Sequence, residues 1–118
     1  MTNSRTTKHR LMLDLLIQRD AIRKRKFKFL APKDERLLEI VGLAYVRQER
    51  LSVKDLMSKV EIGSPAFIHS RMKELFEAQW IEFQETEDSR RYQVTPAEKL
   101  LTYFDALGRA IKSLSHPQ

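Results

Sequence analysis

The sequence predicts a mainly helical α+β fold in which a small β-hairpin follows a set of helices. Three observations carry that prediction. Only three glycines and four prolines punctuate 118 residues, which leaves room for few long loops. Apolar residues recur at helical spacing through most of the chain. Residues 80–85 and 91–94 depart from that spacing and nearly alternate apolar with polar, as two short strands do.

The chain carries 22 Lys+Arg against 16 Asp+Glu, a net charge of +6, and 42% of it is hydrophobic, the balance of one folded domain. Residues 1–7 are polar and form an expected flexible tail, and 8–118 are expected to make a single domain. There is no cysteine. Disulfides, thiolate catalysis and cysteine-ligated zinc are therefore excluded, and stability rests on the apolar core. Apolar runs such as Leu15-Leu16-Ile17 are too short to span a bilayer, and no secretory signal opens the chain. The expected location is the cytoplasm, with no membrane partner.

The first helix is expected from about Lys8, where Leu11, Met12, Leu13, Leu15, Leu16 and Ile17 cover nearly every side of its early turns. Pro32 suits the first position of a second helix, running to about Gln48 and burying Leu37, Leu38, Ile40, Val41, Leu43, Ala44 and Tyr45. Ser52 and Asp55 form a capping box for a short third helix ending near Val60, with Leu56, Met57 and Val60 inward. Glu61-Ile62-Gly63-Ser64-Pro65 then supplies a glycine turn, an apolar anchor, a serine cap and a first-turn proline. Two helices joined this closely make a helix-turn-helix.

On the fourth helix Ile68, Met72 and Leu75 face the core. Ala66, Ser70, Lys73 and Glu77 take the opposite face, with Phe67, His69, Arg71 and Glu74 flanking it. The hairpin follows, its strands separated by Thr86-Glu87-Asp88-Ser89-Arg90. Thr95-Pro96-Ala97-Glu98 reads as a capping box with a first-turn proline, opening a last helix over 96–114. Leu100, Phe104, Leu107, Ile111 and Leu114 give that helix a heptad-like seam. The seam and the apolar first helix, Leu11 and Leu15 included, compete for cover, so a homodimer is expected.

The order of these elements, with 8–48 before the helix-turn-helix and hairpin of 52–95, is that of a winged helix-turn-helix. Leu51 to Leu101 resembles the DNA-binding domains of MarR-type transcriptional regulators, with some likeness to PadR-type wings. The residues concerned are Ser64-Pro65 through Leu75, Trp80-Ile81, Asp88-Ser89-Arg90 and Val94-Thr95-Pro96-Ala97. Those families usually carry glycine where this chain has Gln79 and Glu98. The resemblance implies binding to double-stranded DNA, transcriptional regulation and a nucleoid-associated location. A two-fold dimer would then set its recognition helices about 10 bp apart.

For a DNA reader, the exposed face of the fourth helix offers Ser64, Ala66, Phe67, His69, Ser70, Arg71 and Lys73 to a major groove, where Arg71 or Lys73 can contact guanine. Ser64 is a helix cap in any case, and an exposed His69 also fits plain surface. Ser89, Arg90 and Arg91 at the hairpin tip suit phosphate or the minor groove, or pair with Glu85, Glu87 or Asp88. Residues 1–36 hold eleven Lys/Arg and four Asp/Glu, net +7, whereas 37–118 hold eleven and twelve, net −1. The excess peaks at Arg23, Lys24, Arg25, Lys26 and Lys28, which suit phosphate contacts or a solvated helix end. Phe27 and Phe29 among them are expected to pack on the core rather than stack on bases.

Catalysis is not expected. His9, His69 and His116 stand far apart without metal-ligand spacing, no glycine-rich phosphate loop is present, and no serine sits in a nucleophile elbow. No cofactor or metal is implied, and the sequence names no small-molecule effector. The alternative reading is a winged-helix module that binds protein, which the acidic Glu74, Glu77, Glu85, Glu87 and Asp88 favour.

Overall fold

A computed structural model describes residues 7–27, 30–87 and 92–115. It is mainly helical with one antiparallel hairpin: α1 (Lys8–Lys26), α2 (Pro32–Val46), α3 (Val53–Met57), α4 (Pro65–Glu77), β1 (Ile81–Glu85), β2 (Tyr92–Pro96) and α5 (Glu98–Ser115). Where one domain is expected, the chain packs as two compact units. One holds α1 with the part of α5 from Thr102 onward, and the other is Ala31–Leu101. No described helix is long and apolar enough to cross a membrane.

In the first unit Thr7 caps α1, its hydroxyl accepting from the Arg10 N–H at 3.3 Å. Ile22, Phe27 and Tyr103 are buried, and the Phe27 ring meets Tyr103 edge-on with centroids 5.0 Å apart. The other side of α1 is bare: Leu11, Met12, Leu13 and Ile17 are exposed.

Ala31–Leu101 is organised by its helix ends. Pro32 opens α2, and Asp34 and Glu35 occupy its first turn, where the helix dipole favours carboxylates. Both ends of the Ser52–Asp55 capping box form, at 3.0 and 2.9 Å. The Ser64 hydroxyl accepts from the Phe67 N–H at 3.1 Å to start α4. Helices α2 and α4 end alike. After α4, the Gln79 N–H donates to Phe76 O at 3.0 Å and the Trp80 N–H to Leu75 O at 2.9 Å. After α2, the Gln48 N–H donates to Tyr45 O at 3.1 Å and the Glu49 N–H to Ala44 O at 2.9 Å. This is a Schellman closure, which needs a left-handed residue, and glutamine fills it twice, with φ of 58° at Gln48 and 67° at Gln79. A side chain costs about 1 kcal/mol there. Gln79→Gly is accordingly expected to raise the thermal melting temperature by about 5 °C; an unchanged melt would show that the left-handed residue carries no strain.

The core of this unit is Leu37, Leu38 and Val41 of α2, Leu56, then Ile68, Met72 and Leu75 of α4, closed by Trp80, Ile81, Val94 and Leu100. The strands pair in the register Ile81↔Pro96 to Glu85↔Tyr92. The free side of β2 takes up the residues before α3: the Val94 N–H donates to Leu51 O at 2.7 Å, and Ser52 bridges Gln93.

Several expectations change. Helix α3 stops at Met57, after which turn bonds from Lys59 to Leu56 and from Ile62 to Lys59 carry the chain round. Val60 is thereby thrown outward, 76% exposed, and Ile62 is the inward anchor. Gly63 does not use the left-handed region; a Cβ there would stand 2.6 Å from Phe67 Cδ2, so its role is to let that ring lie against the backbone. Leu43 and Tyr45 are exposed rather than buried. The Thr95–Glu98 capping box does not form. Thr95 pairs with Glu82 in the ladder, the Ala97 N–H donates to Trp80 O, and α5 starts at Glu98. Strand pairing holds this backbone extended, and the buried Thr95 Oγ1 has no hydrogen-bond partner among the described residues.

Candidate nucleic-acid interface

Helix α4 presents two different sides. Ile68, Met72 and Leu75 are buried, while Ser64, Ala66, His69, Ser70 and Lys73 are exposed, so the small and polar side of its first turns faces solvent. Phe67 is half-buried, held between Gly63 and the Lys33 ammonium, which lies 4.9 Å from its ring centroid.

Arg71 is occupied within the chain. Its Nε donates to Asp34 Oδ1 and its Nη2 to Asp34 Oδ2, both at 2.8 Å, and its Nη1 pairs with Glu74. Asp34 is buried, with its side chain 5% exposed. The hydrogen bonds to Asp34 push the Arg71 pKa above its ordinary value, so the charge is fixed. Of the two side chains named for a guanine contact, Arg71 is held in a two-pronged tie between α4 and the first turn of α2, and Lys73 is the exposed cation of this helix.

Lys24 and Arg25 of the basic run are exposed at the end of α1. Arg23 is engaged by Asp20, whose carboxyl that hydrogen bond holds below the usual range. The side chain of Lys26, and Lys28, lie outside the described residues, as do Phe29 and the hairpin-tip residues Ser89, Arg90 and Arg91. Of the expected dimer positions, Leu11 and Ile111 are exposed and Leu15, Phe104, Leu107 and Leu114 are half-buried. Leu100 is corrected: it is fully buried in the core of its own unit and has no surface to offer a second copy.

No family model and no curated protein matches this chain. The reading of the site therefore rests on its own geometry.

That geometry includes a feature the sequence did not announce. His69, Met72, Lys73 and Phe76, at i, i+3, i+4 and i+7 on α4, join Val53, Phe83 and Tyr92 around a hollow of about 290 Å³. The Phe76 and Phe83 rings stand 4.8 Å apart at a tilt of 31°. A second, wider hollow shares Val53 and Tyr92 with the first and brings Arg50 and Lys54 to its rim. The helical spacing of the four α4 residues was a visible signal. Which strand residues would meet them was not, because that depends on where the hairpin folds back.

Proposed function

We propose that this chain is a winged helix-turn-helix protein of MarR-like type that binds double-stranded DNA in the cytoplasm as a homodimer and regulates transcription. One observation carries the reading: the first turns of α4 hold small and polar side chains on an exposed face, with the opposite face locked into the core. A helix enters a major groove with such a surface, because bulky apolar groups would keep its backbone from the base edges. The tie from Arg71 to Asp34 supports it by fixing how α4 stands on α2, and the hairpin that directly follows α4 is placed in the chain as a wing is. The bare apolar side of α1, at Leu11, Met12, Leu13 and Ile17, supports a second copy as its cover.

Charge favours a second reading, a protein-binding module of the same fold. Ala31–Leu101 holds eleven Lys/Arg against thirteen Asp/Glu, net −2, so the unit bearing α4 has no general attraction for phosphate. Duplex affinity then depends on local cations at the hairpin tip and in the basic α1.

The test is the salt dependence of duplex binding by fluorescence anisotropy. Log K is expected to fall steeply with log salt, and Arg90→Ala with Arg91→Ala is expected to flatten the slope by about 2 units, roughly one per lost phosphate contact. A duplex affinity indifferent to both salt and these substitutions would favour the protein-binding module.

A further inference from the structure

Beyond duplex binding, we infer that the two neighbouring hollows between α3, α4 and the hairpin bind unpaired bases, so that the chain takes single-stranded nucleic acid at this face. The inference rests on the nucleic-acid reading above and assigns the face a second substrate class.

Its floor is aromatic. Phe76 and Tyr92 are 45% and 46% exposed, far more than rings serving only the core, and the Phe83 ring lies 4.8 Å from that of Phe76. Exposed rings of this kind offer flat π-faces to bases, and the stacking is tolerant of sequence. The smaller hollow, about 290 Å³, falls just under the range of small-molecule pockets, the scale of one ring system rather than of a larger ligand.

Its rim is cationic. Lys73 borders the first hollow and Arg50 and Lys54 the second, and Val53 and Tyr92 line both. Asp55 is the acidic side chain of this lining, and its carboxylate is taken up by the Ser52 N–H at 2.9 Å. Cations therefore gather here in a unit whose net charge is negative. Each hollow thus has a cation in its lining and Tyr92 lines both, a combination suited to holding a sugar-phosphate backbone while its bases stack. An acidic peptide would find the same charges, but an apolar anchor needs a pocket that excludes water, and these rings are half open to it.

A duplex has its bases already stacked and paired, so this face distinguishes strands from helices. The experiment titrates the full chain, by anisotropy, into a fluorescein-labelled oligothymidylate of about 12 nucleotides, within the usual site sizes, and into a duplex of equal length. Binding of the oligothymidylate is expected. Phe76→Leu and Tyr92→Leu, which keep apolar bulk and remove the π-face, should each weaken it by about 5- to 100-fold while leaving duplex binding unchanged, with the Phe76→Leu melt lowered by about 5 °C for the lost ring pair with Phe83. Lys54→Ala with Lys73→Ala should flatten the single-strand salt slope by about 1.4. Duplex binding without oligothymidylate binding would overturn this inference and leave the proposed function standing. Oligothymidylate binding that ignores both ring substitutions would overturn it too, as would capture of an acidic phenylalanine-bearing peptide with no oligothymidylate binding. Failure of both nucleic acids would overturn the inference and the duplex reading together.

Discussion

Arg71→Ala is expected to destabilise the protein by about 3 kcal/mol, lowering its melting temperature by about 15 °C. The cost comes less from the lost attraction than from what is left behind. Asp34, its side chain 5% exposed, would keep a carboxylate in the interior with no cation to accept from. Arg71→Lys is expected to recover less than half of the loss, because an ammonium cannot reproduce two parallel bonds at 2.8 Å to one carboxylate. Replacing both partners with apolar residues, Asp34→Leu with Arg71→Met, should restore most of the stability, since neither charge then has to be buried. Thermal and urea melts of the four proteins read this directly. A loss below about 0.5 kcal/mol for Arg71→Ala would place the pair among ordinary surface contacts and remove the tie that holds α4 on α2.

What was legible in the sequence was local. Ser52 with Asp55 and Ser64 with Pro65 name their helix starts because each cap and its partner lie within one turn. The buried triplet Ile68, Met72 and Leu75 follows from the helical repeat alone. Features set by distant parts of the chain were not legible. Arg71 looks like an exposed donor until α2 brings Asp34, 37 residues away, into reach. Thr95 and Glu98 carry a cap signature that pairing with β1 overrides. Phe76, Phe83 and Tyr92 belong to three elements with no common spacing, and their hollow exists only once β1 has packed on α4. Leu100 shows the same limit: its heptad spacing suited an intermolecular seam, and the chain's own core claimed it first. The exposed and buried sides of α4 follow from its own repeat, whereas the clamp from Arg71 to Asp34 and the ring pair of Phe76 with Phe83 required the fold.

The largest effect on function is expected from charge placed on the outward face of α4. Ala66 and Ser70, four residues apart, are both exposed near the start of that helix. Ala66→Glu with Ser70→Glu adds two negative charges where the phosphate-lined groove would close around it, and surface substitutions of this kind change stability by no more than about 0.5 kcal/mol each. Duplex binding is therefore predicted to fall at least ~100-fold, about 2.7 kcal/mol, at an unchanged melting temperature. The most direct measurement is a side-by-side titration of the natural chain and this double variant against one duplex at one salt concentration. Loss of binding by a variant that melts like the natural chain is the predicted result, and equal binding by the two would contradict insertion of α4 into DNA.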